Sequence, residues 1–100
     1  MDIFLVAFLC KPLPGSEPAT KFTGAKCAVW VAAQNEDAAK VAALKELESK
    51  GWKISSEVAA VRQDRNILAQ HNPSALKTFD LARVKGIVID LRAEQDFSKN

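Results

Sequence analysis

The sequence predicts an α+β fold: a two-layer α/β sandwich, with a four-stranded mixed sheet, two helices on one face, and the element order β-β-α-β-α-β. Three observations carry this expectation. The run from Ile3 to Cys10 is apolar on both alternating faces, as in a strand covered on both sides and central in its sheet. Two later segments open on asparagine, Asn35 and Asn72, and close on Lys-Gly, at Lys50-Gly51 and Lys85-Gly86, which is the punctuation of capped helices. The chain has 100 residues, 48% of them hydrophobic, with a net charge of +2, so one domain spanning 1–100 with a real core is expected and disorder is excluded.

The elements follow in order. Ile3 to Cys10 places Ile3, Leu5, Ala7 and Leu9 on one face and Phe4, Val6, Phe8 and Cys10 on the other. Residues 11–25 hold three prolines and two glycines and read as a long hairpin loop. Lys26 to Ala33 resumes the strand pattern, with Val29 and Val31 opposite Trp30. Asn35 caps a helix that begins with Glu36 and Asp37, where the helix dipole favours acids, and runs to Lys50, with Val41, Leu44 and Leu47 as its larger apolar residues. Trp52 to Val61 reads as a half-exposed strand. Arg62 to Gln70 allows either a short helical turn capped by Asp64 or a loop. Asn72-Pro73 starts a second helix, through Lys85, with Leu76, Phe79 and Ala82 on its inner stripe. Ile87 to Leu91 is a short apolar strand, and residues 92–100 read as a frayed tail.

The order of a hairpin followed by a capped helix over residues 3–50 resembles, in patterning, the antitoxin half of HicA–HicB pairs. Val31-Ala32-Ala33-Gln34-Asn35 lacks the glycine usual at that family's strand-to-helix junction, and membership is not assigned.

Composition narrows the functional classes. No apolar run approaches the roughly 20 residues that cross a bilayer. Asp2 stands where a signal peptide would be basic, and the apolar run behind it is eight long, so cytoplasmic residence is expected and a membrane partner is not. Cys10 and Cys27 fall near the ends of two strands, and a reducing compartment favours free thiols over a disulfide. The four glycines never cluster into a phosphate cradle, and no C-x-x-C or histidine pair offers metal ligands. His71, the one histidine, stands in a polar segment with no carboxylate tied to it by spacing. No catalytic, cofactor or metal residues are assigned, and no cofactor is expected.

What remains is association. Two helices on one face of the sheet would leave the other uncovered, and an exposed apolar face of that size marks an interface. Placing Ile3, Leu5, Leu9, Val29, Val31, Ile54 and Val58 under the helices leaves Phe4, Val6, Phe8 and Trp30 as the interface, and with the faces reversed one apolar face still stays uncovered. Phe22 in the proline-rich loop is a further anchor. The expected function is a small non-enzymatic interaction or regulatory module, a homodimer or the companion of a protein partner. The alternative is an antitoxin-like or phage-type regulator that meets nucleic acid through Arg62, Arg65, Arg83 and Arg92, although acidic residues interleave with these arginines.

Overall fold

In the computed structural model the described residues are 1–16, 19 and 23–94, with backbone alone at 57, 58 and 91–94. The chain forms β1 (Asp2–Pro12), β2 (Gly24–Ala33), α1 (Glu36–Ser49), β3 (Trp52–Gln63), α2 (Arg65–His71), a single 3-10 turn (Pro73–Ala75), α3 (Leu76–Lys85) and β4 (Ile87–Glu94). The α+β class holds, and β1 is central, as its two apolar faces require.

The sheet runs β3-β1-β2-β4, and each neighbouring pair is antiparallel. This corrects the expected mixed sheet. A helical crossover joins neighbouring parallel strands only when the second strand lands beside the first. Here α1 carries the chain from β2 over β1 to the far edge, and α2 with α3 carries it from that edge to the opposite one. The first crossover therefore passes one strand and the second passes two, so neither sets its two strands side by side.

A second correction concerns the helix layers. The two crossovers pass over opposite faces of the sheet, not the same one. Ala39, Ala43 and Leu47 of α1 pack on Phe4, Val6, Phe8, Val29 and Val31. Phe79 and Ala82 of α3, with Leu68 of α2, pack on Ile3 and Trp30, and Leu5, Ala32 and Val88 join this second cluster. The architecture is three layers, α1 over one face and the α2–α3 pair over the other.

Local chemistry explains the element ends. Asn35 is extended, and its side-chain Oδ1 accepts from the Ala38 amide at 2.8 Å, the expected cap. Asp64 resolves the ambiguous 62–70 segment, because its carboxylate accepts from the amides of Asn66 and Ile67 and starts α2. Gly51 and Gly86 have φ of 91° and 88°, the left-handed backbone that lets each chain turn leave its helix. The hairpin loop is shorter than expected, since β1 extends to Pro12 and β2 begins at Gly24. Likewise β4 continues to Glu94, past the point where the tail was expected to fray.

Candidate docking surface

Alternation along β1 and β2 sorts their residues to the two faces of the sheet. On the α1 face, Phe4, Val6, Phe8 and Cys10 of β1 stand beside Cys27, Val29 and Val31 of β2, and all are buried. On the opposite face β1 presents Ile3, Leu5, Ala7, Leu9 and Lys11. The register couples Leu5 to Trp30, Ala7 to Ala28 and Leu9 to Lys26 on β2, and on β4 Val88 to Trp30 and Asp90 to Ala28.

Coverage of this second face stops part way. A ten-residue α3 is about 15 Å long, whereas the 11 residues of β1 extend over roughly 36 Å. Ile3, Leu5 and Trp30 lie in the cluster that α2 and α3 close. Beyond them the sheet is open. Ala7, Leu9, Lys26, Ala28 and Asp90, with the backbone of Phe8 and Cys27 between, line a shallow hollow of about 370 Å³. Leu9 is 40% exposed there. From β3 the same open half receives Ala59, opposite Ala7, and Lys53, opposite Lys11.

The charge of the open half is uneven. Lys11, Lys26 and Lys53 are exposed, and none makes an ion pair with a described residue. Asp90 is the one carboxylate among the side chains described there. Lys11 and Lys53 face each other directly across the β1–β3 pair, an arrangement that folding alone does not favour.

The arginines proposed for nucleic acid go elsewhere. Arg62 pairs with Asp2 at 3.6 Å and stands opposite Phe4, on the α1 side of the sheet. Arg65 holds Asp80 with two hydrogen bonds of 3.1 Å, tying the start of α2 to α3. Its guanidinium holds the Asp80 carboxyl below the ordinary aspartate value, first through that hydrogen bond, and partial desolvation opposes the shift. Arg83 lies beside Asp80 and Val84 on α3. The side chain of Arg92 lies outside the described residues. Arg62 and the Arg65–Arg83 pair therefore belong to opposite layers, and no basic stripe forms from them.

The expected interface residues need correcting. Phe4, Val6 and Phe8 are buried beneath α1, with Val6 at 0% exposure, and Trp30 is buried under α3 on the other face. They do not share a face, because the antiparallel register sets odd residues of β1 against even residues of β2. Phe22 lies outside the described residues. Of the residues placed under the helices, Ile3, Leu5, Val29, Val31 and Ile54 are in or against the two cores, though split between them, and Leu9 is not covered. The side chain of Val58 is not among those described.

Cys10 and Cys27, expected as free thiols, are joined as a disulfide on the α1 face, with their Cα atoms 6.6 Å apart. Cys27 stands opposite Phe8, two residues along β1 from Cys10, so the two cysteines share a face and meet diagonally. His71 ends α2 exposed to solvent, and its imidazole makes no hydrogen bond to a described residue.

Ala7, Leu9, Lys26, Ala28 and Lys53 were missed as a surface from sequence. Four of the five are small or charged residues that stand out in no pattern, and only the register brings them together. Among the described residues no group of three or more His, Cys, Asp or Glu gathers as a metal site, and no helix is long and apolar enough to cross a membrane. No family model, curated protein or solved structure matches the chain.

Proposed function

We propose that the protein is a small non-enzymatic interaction module that docks another polypeptide on the open half of the α3 face of its sheet. The observation that carries this is the abrupt end of coverage. Trp30 is buried, and two residues further along the same face of β2 Ala28 borders an open hollow. An apolar area on the two inner strands of a sheet is costly to leave in water, and exposed surface of this kind marks partner sites. The hollow gathers no nucleophile–base pair, which favours binding over chemistry.

The Cys10–Cys27 bridge weighs against the expected cytoplasmic residence, since reducing compartments keep thiols free.

Photocrosslinking tests the docking surface. A benzophenone amino acid is placed at Leu9, in the open half, or at Val84, which is 84% exposed on α3 and serves as control. Irradiation of cells making the protein should give a discrete adduct from position 9 and none from position 84. An adduct of twice the chain's mass means self-association, and another mass means a different partner. Adducts from position 84 alone, or from neither position, would overturn the docking surface.

A further inference from the structure

We infer that the occupant of the open half-face is an acidic amphipathic helix of another protein, an inference that rests on the docking surface just proposed. Charge decides against a second copy. Two-fold pairing of identical faces would set Lys11, Lys26 and Lys53 against the same three lysines, with Asp90 as the one described carboxylate to offset them. Like charges brought together in an interface are disfavoured, whereas carboxylates above these unpaired ammonium groups are attracted to them.

Backbone chemistry decides the form of the occupant. The open half lies over β1 and β2, and both strands are hydrogen-bonded to neighbours on each side. An occupant lying on this face therefore finds no free amide or carbonyl to pair with, unlike a strand added at a sheet edge. Its own backbone must be satisfied internally, and a helix does that. The chain already covers other parts of its sheet in this way, with α1 on one face and α3 beside the open half.

The apolar floor argues against the other anionic partners. Ala7, Leu9 and Ala28 suit a leucine or alanine stripe, and no aromatic side chain among those lining the open half is free to stack on a base. The lysines then stand where acidic residues flanking that stripe would reach them.

The test is an unbiased selection. The full-length protein is used to capture binders from a displayed library of amphipathic helices with randomised flanks. Recovered sequences should be enriched in Asp and Glu beside an apolar stripe. A synthetic peptide of the commonest sequence should bind at least 10-fold more weakly to Lys26→Glu/Lys53→Glu, and at least 10-fold more weakly to Ala28→Arg. Recovery of neutral or basic helices that Ala28→Arg still abolishes would overturn the acidic partner and leave the docking surface standing. Recovery of helices indifferent to Ala28→Arg would overturn both. A 20-nucleotide single-stranded DNA and vesicles of mixed neutral and anionic phospholipid are run alongside. Binding of either that the double lysine variant abolishes, with no acidic helix recovered, would reassign the surface and overturn the inference.

Discussion

Gly86 leaves α3 with φ of 88°, and a Cβ built there meets nothing within 4 Å. Substitution at this position therefore isolates backbone strain from packing. Gly86→Ala should lower stability by about 1–2 kcal/mol in urea unfolding, and Gly86→Asn by less, because asparagine tolerates the left-handed region better. Equal stability of all three would mean the turn relaxes to another conformation. At Asp80 the neighbouring Arg65 depresses the carboxyl pKa, so the folded state holds this proton less readily than the unfolded chain does. The resulting stabilisation is present above the ordinary aspartate value of 3.8 and is lost as pH falls through the lower folded value. Asp80→Asn should therefore be less stable than the parent at pH 7, the gap closing in acid. A gap independent of pH would remove the ion pair as its cause. Cys10 and Cys27 give a third check at this scale. Alkylation of the denatured, unreduced protein should add no mass, and two adducts would show free thiols. The capping residues were legible in sequence because Asn35, Gly51 and Gly86 act on their own neighbours. The bridge was not, because it depends on which residue of β1 faces which residue of β2.

At the scale of the element, α1 shows how far periodicity alone can lead. Its bulk suggests Val41, Leu44 and Leu47 as the packing residues, yet the buried positions are Ala39, Ala43 and Leu47, and Val41 is half-exposed. Small alanines bring the helix close to a sheet already filled by Phe4, Phe8 and Trp52. Leu47→Ala should then cost about 2–5 kcal/mol, through lost burial and the cavity left behind. Val41→Ala should stay within about 0.5 kcal/mol of the parent in the same urea titration. A large loss from Val41→Ala would mean α1 is rotated from its present seating. The stripe of α3, by contrast, was read correctly from sequence. Leu76, Phe79 and Ala82 all join the second cluster, since no competing apolar stripe exists on that helix's inner side. The 62–70 segment was undecided because Asp64 caps a helix of only seven residues, too short to show a period.

For the whole molecule, the strands were placed well and their arrangement was not. Local patterning marks a strand, but it carries no record of which strands become neighbours, and both crossovers here pass over a strand lying between their ends. Putting both helices on one face made Phe4, Val6, Phe8 and Trp30 look like an exposed interface. Distributing the helices over two faces turns them into two cores and moves the open surface to Ala7, Leu9 and Ala28. The apolar excess of the sheet thus fills two cores, and the open part was not legible in the sequence because it depends on register and topology. The boundary between Trp30 and Ala28, adjacent positions on one face of β2, is where the proposed function is most exposed to refutation. Urea unfolding of Ala28→Arg, with Trp30→Glu as its companion, tests that boundary. Ala28→Arg should fold with stability within about 0.5 kcal/mol of the parent, its guanidinium reaching solvent over an uncovered sheet, while Trp30→Glu should fail to fold. Unfolding of Ala28→Arg as well would mean the chain itself covers this half of the face, leaving no surface there for a partner.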